Sequence, residues 1–444
     1  MISLNFPEQV NSAIKLLENS GFEAYAVGGC VRDRLMGREP NDYDITTNAL
    51  PSQTAEVFKE YRCLDIGIKH GTLTVLFDGF PLEITTYRLD GKYLDNRHPE
   101  SVSFSAELSD DLARRDFTVN TLCYSESKGL VDLFGGAEDI RNKVIRCVGD
   151  PDRRFSEDAL RILRAIRFSC TLGFTVEEKT AESVLRNCEL IDNIAIERVR
   201  DEFTKLICAS SVTEVCEKFL PVIGRFIPEF VELYGCEQNT PYHIYDVFGH
   251  TLRALEAIES TPEMRLTMFF HDIGKPECRK TDEFGTDHFK GHAAVSAEKA
   301  RNILKRMKYP NAVADFVCAL IENHSLPCPK TKQQAKKFLS LYGEKLYEGF
   351  IKVRRADCAA KADPHSHDEK LENMKLFLKS IRENGECYSL KQLKVNGNDL
   401  MAVGVKNGPD LRRVLELLLN EVIFDRCPNE KSALLERAQE FYKE

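Results

Sequence analysis

The spacing of apolar positions changes character once along the chain. Near the start, Val10, Ile14, Leu16 and Leu17 form a stripe at helical spacing, and Gly21 stands where a helix-ending glycine belongs. A strand is expected at Ala24–Val27, after which Gly28-Gly29 breaks the chain before a short helical stretch over 31–36. Residues 42–46 have strand composition, 52–61 read as a helix, and Thr72–Phe77 and 82–87 read as strands. This first part is expected to be α+β. From about Phe155 the period is helical almost without interruption, as in Ala159-Leu160-x-Ile162-Leu163-x-Ala165-Ile166, so the remainder is expected to be all-α. Joints are expected near Asn239-Pro241, Pro327-Pro329 and 361–369.

Composition narrows the class of molecule. A chain of 444 residues exceeds one ordinary core, since single cores stop growing at about 250–300 residues. No apolar run approaches the roughly 18 residues that span a bilayer. Met1 to Phe6 is not a basic stretch leading into an apolar segment, so no secretory signal and no membrane partner are expected. The fifteen cysteines are odd in number, scattered, and never at C-x-x-C spacing, which points to ordinary thiols in a reducing compartment and a cytoplasmic address. A net charge of −9 argues against an all-over basic coat but leaves room for a local nucleic-acid interface. Nothing in the composition sets the oligomeric state.

Chemistry enters with Asp42-Tyr43-Asp44. Carboxylates at i and i+2 of a strand share a face about 7 Å apart, which suits two magnesium ions about 4 Å apart that activate a hydroxyl and steady a leaving pyrophosphate. Gly28-Gly29-Cys30-Val31-Arg32-Asp33, between a strand and a helix, can cradle phosphates, with Arg32 adding a charge-assisted bond. Glu83 is a candidate third carboxylate. The bland alternatives are a solvated D-x-D loop, an ordinary Gly-Gly turn and an edge-strand glutamate. Asp158 and Arg161, three apart on an expected helix, could read the Watson–Crick edge of a base, or be an intrahelical ion pair.

Gly28-Gly29-x-Val31-Arg32-Asp33-x-Leu35-x-Gly37 followed by Asp42-x-Asp44 resembles the first motif of class II tRNA nucleotidyltransferases, the CCA-adding enzymes. Their catalytic fold is polymerase-beta-like and is shared with bacterial poly(A) polymerases. Asp111-Leu112-Ala113-Arg114-Arg115-Asp116-Phe117-Thr118-Val119-Asn120 resembles their second motif, which serves ribose and triphosphate. Glu157-Asp158-Ala159-Leu160-Arg161 resembles the nucleotide-selecting motif, and Glu197-Arg198-Val199-x-x-Glu202-Phe203 a later helical one. The resemblance covers roughly residues 20–235. It implies template-independent addition of C, C and A to tRNA from CTP and ATP, with Asp42, Asp44 and Glu83 around Mg2+. Gly28, Gly29, Arg32, Arg115, Asp116, Asn120, Asp158, Arg161, Arg164 and Arg167 are then the nucleotide-binding residues. One small departure is Thr121, where many relatives have alanine. The segment 88–99 resembles the intact flexible loop of complete CCA enzymes, and 67–72 resembles them more than poly(A) polymerases. Enzymes that add only CC or only A, and poly(A) polymerases, remain the same-class alternatives.

A second constellation follows in the helical part: His250, His271-Asp272, His292, His324 and Asp357, an imidazole and carboxylate set suited to a second, transition metal. Around Met268-Phe269-Phe270-His271-Asp272-Ile273-Gly274-Lys275 it resembles the HD superfamily of metal-dependent phosphohydrolases. That resemblance implies a phosphatase or cyclic-phosphate phosphodiesterase acting on RNA ends. The different-class alternative is an HD phosphohydrolase whose N-terminal half only binds RNA or nucleotides. Basic runs at Lys330-x-Lys332-x-x-x-Lys336-Lys337 and Lys352-x-Arg354-Arg355 are candidate tRNA contacts, with solvated helix faces as the alternative. An amphipathic helix around 411–422 belongs to a tail that could bind RNA. The expected domains are a catalytic head (1–145), a helical neck (146–235), an HD-type domain (236–365) and a helical tail (366–444).

Overall fold

The computed structural model describes residues 4–64, 71–90 and 102–443. Most of the two segments used to separate CCA enzymes from their relatives, 67–72 and 88–99, therefore lies outside the described residues. The chain gathers into two compact units, Met1–Val231 and Glu232–Glu444.

The first unit opens with the helix Glu8–Asn19, which buries Val10, Ala13, Ile14 and Leu17. Past its end, Gly21 takes a φ of +84°, and the Phe22 N–H reaches back to the Leu17 carbonyl, closing the helix as the sequence predicts. The strands are β1 (Ala24–Val27), β2 (Asp44–Thr47), β3 (Arg62–Leu64), β4 (Thr72–Phe77), β5 (Phe80–Thr86), β6 (Arg88–Asp90), β7 (Val102–Phe104), β8 (Cys123–Ser125) and β9 (Gly129–Val131). Seven of them form one mixed sheet in the order β3-β4-β5-β2-β1-β8-β9, and β6 pairs with β7 separately. Only β2 and β5 run parallel in the large sheet, and their register sets Asp44 opposite Glu83. Ile45, Leu73, Val75, Leu82 and Ile84 belong to one core with Val10, Ala13, Ile14 and Leu17 of the first helix. The alternation of β4, with Leu73, Val75 and Phe77 inward, is what a half-buried strand requires.

Two expectations about local structure need correction. Strand β2 starts at Asp44, so Asp42 precedes it, although the alternation of exposed Asp42, buried Tyr43 and half-buried Asp44 already holds there. Asp158 is not helical. It lies between the helices Pro151–Glu157 and Leu160–Leu172 with φ −137° and ψ 102°, an extended residue that turns the chain.

The second unit is helical apart from the two-residue strands Lys280–Thr281 and Asp287–His288. Its longest helix, Lys332–Ala359, is kinked at Gly343, whose φ is +77°. The expected amphipathic helix is Pro409–Ile423, and its face of Val414, Leu418, Leu419 and Val422 packs with Leu400, Leu434 and Ala438. The lysine run in 330–337 does not form a free basic face. Lys336 is buried with its Nζ 2.9 Å from Asp425, Lys332 pairs with Glu386 at 2.5 Å, and Lys337 donates to Asn420. In the second run, Lys352 pairs with Glu259 and Arg355 with Glu372. All fifteen cysteines are free thiols, each buried or half-buried. Among the described residues no helix is long and apolar enough to cross a membrane.

Candidate active site and metal centre

Adjacent strand ends bring three carboxylates together. Asp44 opens β2, Asp42 precedes it by two residues on the same side, and Glu83 lies opposite Asp44 on β5. Burial first, then Asp42 and Glu83 against the opposing pull of Arg115, push the Asp44 carboxyl up to about 6. A cluster of like charges of this kind is unfavourable without a cation, and its all-oxygen donor set fits a hard ion such as Mg2+.

Asp42 and Asp44 face a cavity of about 540 Å³. Its phosphate side begins at Gly28, whose φ of +79° and ψ of −128° only glycine adopts readily. A Cβ there would lie 2.9 Å from Arg115 Nη1, so the bare backbone makes room for that guanidinium. The Gly28 N–H donates to the Leu122 carbonyl and is not available to a phosphate. Arg32 donates to Asn120 Oδ1 at 2.7 Å, Asn120 donates to Asp116 Oδ1 at 3.0 Å, and Arg164 donates through Nε and Nη2 to Asp116 Oδ2 at 2.8 and 2.6 Å. Burial alone would raise the Asp116 carboxyl, but Arg164 and Asn120 hold it well below the usual carboxylate range. Asp116 thus fixes Arg164 rather than its neighbour Arg115.

The group that holds the two adjacent arginines is Asp111, which the sequence reading did not single out. It is fully buried, accepts from Arg114 Nε and Nη2 at 3.0 and 2.5 Å, and accepts from Arg115 at 3.2 Å. Its i, i+3 and i, i+4 spacing to the two arginines was the available signal. Phe168 was also missed. It lines the cavity, and the guanidiniums of Arg32, Arg164 and Arg167 lie 5.3, 5.2 and 4.0 Å from its ring. Arg88 and Arg114 line the cavity as well. Arg167 instead turns to Glu202, donating at 2.5 Å.

Asp158 and Arg161 both line this cavity. They do not pair with each other as an intrahelical ion pair would. Asp158 is met by Arg198 at 3.2 Å and accepts the Leu160 N–H at 3.1 Å. Arg161 is held by Glu157 at 3.0 Å and by the carbonyls of Arg154 and Arg114 at 3.1 and 2.9 Å, which fixes its plane.

In the second unit, all six residues singled out from the sequence converge. His250 lies on the helix Val247–Ala257, His271 and Asp272 just beyond Pro262–Phe270, His292 at the start of His292–Arg306, His324 just beyond Asn311–Asn323, and Asp357 near the end of Lys332–Ala359. His250, His271 and Asp272 form one group with metal-binding spacing, and Asp272, His292 and His324 form another. Asp357 joins through His250, 3.1 Å away. Burial lowers His250 and His292 and pushes His324 down to about 3, which keeps these rings in the neutral form that binds metals. The cluster opens into a cavity of about 470 Å³ that Lys275, Lys290, Arg354 and Lys361 also line.

Comparison with known proteins gives this arrangement a lineage. Residues 24–146 match a family model described as the poly A polymerase head domain. Residues 173–218 match one for a probable RNA and SrmB-binding site of polymerase A, and residues 289–438 one for a putative tRNA nucleotidyltransferase domain 2. The CCA-adding enzyme of Ligilactobacillus salivarius (strain UCC118) is 31% identical over 449 residues, covering all of both chains. That of Geobacillus kaustophilus (strain HTA426) is 33% identical over 96% of this chain and 95% of its own. Among solved structures, the Bacillus stearothermophilus CCA-adding enzyme in complex with CTP superposes with a TM-score of 0.73 at 28% identity, covering 98% of each chain. Similarity at this level over the whole length makes the chain a member of the family of CCA-adding enzymes.

Proposed function

We propose that the chain extends the 3′ end of tRNA by C, C and A, using CTP and ATP without a nucleic-acid template and releasing pyrophosphate. The observation that carries this reading is a single cavity lined at once by Asp42 and Asp44, by arginines suited to a triphosphate, and by Asp158 with Arg161. Asp42, Asp44 and Glu83 would hold Mg2+, which when bound supplies a Lewis acid for the phosphoryl oxygens and for the attacking hydroxyl. Arg115, seated against Gly28, neutralises the triphosphate. Arg32 and Arg164, locked together through Asn120 and Asp116, keep the cavity's charge in place before the substrate arrives. The tRNA 3′ oxygen bonds to the α-phosphorus as the bond to the bridging oxygen breaks, and the pyrophosphate departs with that oxygen. Asp158 accepts the exocyclic amino group that cytosine and adenine share and that uracil and guanine replace with a carbonyl. Arg161 donates to the neighbouring ring position.

On this reading 1–145 is the catalytic head, 146–235 the neck that carries the selector, 236–365 the HD-type domain and 366–444 a tail that binds tRNA, with the cytoplasm as the place of work. The test is a tRNA lacking its 3′ end, incubated with CTP, ATP and Mg2+. Addition of three nucleotides and then a stop is expected, whereas C alone or a long A tract would assign the chain to a relative. Asp42→Ala and Asp44→Ala are expected to abolish addition with the fold retained.

A second reading concerns the histidine cluster, because four imidazoles and two carboxylates converge beside cationic side chains. This site would hold a divalent transition metal and hydrolyse phosphoesters at RNA ends. Hydrolysis of a 2′,3′-cyclic nucleotide with added Ni2+, Mn2+ or Co2+ is expected, and activity that survives His271→Ala would place its source elsewhere.

A further inference from the structure

Of the three clustered carboxylates in the first unit, Asp42 alone lies outside the sheet. Asp44 and Glu83 face each other on the paired strands β2 and β5, whereas the ladder of β1 and β2 begins at Asp44 and leaves Asp42 on the loop before it. The Asp42 side chain is exposed, and among the described residues no hydrogen bond or ion pair holds its carboxylate. A ligand with nothing at its tip is only as well placed as the backbone beneath it.

That backbone is fixed from the side. Arg34, near the end of the helix Gly29–Leu35, donates through Nη1 to Glu39 Oε2 at 2.7 Å and through Nη2 to Glu39 Oε1 at 2.6 Å, the two-pronged geometry that a guanidinium and a carboxylate favour. Arg34 Nη2 also donates to the Tyr43 hydroxyl at 2.9 Å, and that hydroxyl donates to Glu39 Oε1 at 2.9 Å. The Tyr43 ring is buried, with Phe6 edge-on at 6.0 Å and Phe80 at 5.7 Å. The triangle therefore pins the chain three residues before Asp42 and one residue after it, and Pro40 fixes a further φ between them. Its anchor is the helix that also carries Arg32, so one element holds both the carboxylate side and the phosphate side of the cavity. The Glu39 side chain is 71% exposed, and an exposed ion pair adds little to stability. What these mutual hydrogen bonds supply is geometry.

We propose that Arg34, Glu39 and Tyr43 are positioning residues for nucleotidyl transfer, a clamp that sets the Asp42 carboxylate against Asp44 and against the phosphate-side helix. The proposal rests on reading Asp42 and Asp44 as Mg2+ ligands, and it assigns to three side chains outside the cavity lining the ordering that the Asp42 carboxylate lacks. A carboxylate ordered in advance spares binding the entropy of fixing a loop. Loosening the clamp therefore weakens Mg2+-dependent nucleotide binding, while the transfer step recovers once Mg2+ is saturating.

The experiment measures retention of radiolabelled CTP by the full chain in equilibrium dialysis, without tRNA, across a series of Mg2+ concentrations, with Asp42→Asn as the blank. Tyr43→Phe keeps the buried ring and removes only the hydroxyl. This variant and Arg34→Ala should each raise the Mg2+ concentration for half-maximal retention about tenfold, the lower end of what a residue supporting a metal ligand contributes. Glu39→Gln keeps the shape of the acceptor without its charge and should fall between them and the parent. Single-turnover addition of C should shift equally along the Mg2+ axis and return to within about threefold of the parent's rate at saturating Mg2+. Urea unfolding in the presence of a chelator should match the parent's. Unchanged Mg2+ midpoints in the variants overturn the clamp and leave the Mg2+ reading standing. Retention lowered equally at every Mg2+ concentration, together with reduced stability, also overturns the clamp, since the loss is then one of fold. Mg2+-dependent retention that is absent from the parent, or that survives Asp42→Asn unchanged, overturns the reading of the site and the clamp with it. Should Arg34→Ala fail to fold, Tyr43→Phe decides the question alone.

Discussion

Replacing Asp158 by asparagine separates the chemistry of this carboxylate from its place in the fold. The side chain sits at the extended break between two helices, where Oδ1 accepts the Leu160 N–H at 3.1 Å. Asparagine has the same shape and keeps an oxygen for that bond. The pair with Arg198 is lost, but both partners are partly exposed, with side-chain accessibilities of 28% and 20%, so its loss costs at most about 1 kcal/mol of stability. What asparagine cannot supply is an ionised acceptor for the amino group of the incoming base. A hydrogen bond to a charged group is worth about 1.5–3 kcal/mol, which corresponds to roughly 10- to 150-fold in kcat/KM. Single-turnover incorporation measures this directly, with CTP on tRNA ending before CCA and with ATP on tRNA ending in CC. Both rates should fall by that factor, and discrimination against UTP and GTP should narrow, because a side-chain amide can also donate to their carbonyls. The melting temperature should stay within a few degrees of the parent's. Incorporation within about threefold of the parent, with unchanged discrimination, refutes the selector role of Asp158.

Three further substitutions probe the surroundings. Gly28→Ala forces a side chain into a positive-φ backbone and places its Cβ 2.9 Å from Arg115 Nη1, so at about 1–3 kcal/mol of strain it should raise the KM for CTP and ATP by roughly 5- to 150-fold; an unchanged KM would mean that Arg115 does not bear on the triphosphate. Asp116→Asn replaces the carboxylate that holds Arg164 by a neutral amide and should destabilise the chain by about 1–3 kcal/mol near neutral pH, as read by urea unfolding. Since Arg164 and Asn120 depress the native carboxyl below its usual value of 3.8, the contribution is present above that pH and is lost as pH falls through the native value; a deficit that stays constant into strong acid would contradict this. Lys336→Ala should lower stability by about 2 kcal/mol while leaving the salt dependence of tRNA affinity unchanged, and a shallower salt slope would return Lys336 to the RNA interface.

The parts of the site that were legible in the sequence are those where chemistry follows order along the chain. Asp42-x-Asp44 could be read because alternation puts both on one side even one step outside the strand, and the order of the six histidine and aspartate positions survived folding. The position of Asp158 could not be read, since helical periodicity runs on both sides of it and the single extended residue is held by Arg198, forty residues away. The lysines at 332, 336 and 337 looked like a basic face because their partners, Glu386, Asp425 and Asn420, lie far along the chain. In Arg114-Arg115-Asp116 the partner of both arginines is Asp111, three and four residues back, and Asp116 reaches across to Arg164. The orientation of three of the histidine rings has a local cause. His271, His292 and His324 each place Nδ1 against the carbonyl three residues earlier, which aims Nε2 away from its own turn.

The donor atoms of the proposed Mg2+ site and of the histidine cluster differ in kind. The head offers carboxylate oxygens alone, a hard set suited to an ion that keeps much of its water. The histidine cluster offers four imidazole nitrogens beside two carboxylates, a set for which Mg2+ is a poor competitor and divalent affinity rises from Mn2+ through Fe2+, Co2+ and Ni2+ to Cu2+ before falling at Zn2+. Magnesium would therefore load the head without displacing the ions of the second unit. It follows that a chelator selective for transition metals, added with Mg2+ in excess, should remove hydrolysis of cyclic phosphates while CCA addition continues. Loss of both activities together would mean that the head also depends on a softer ion than its oxygen donors imply.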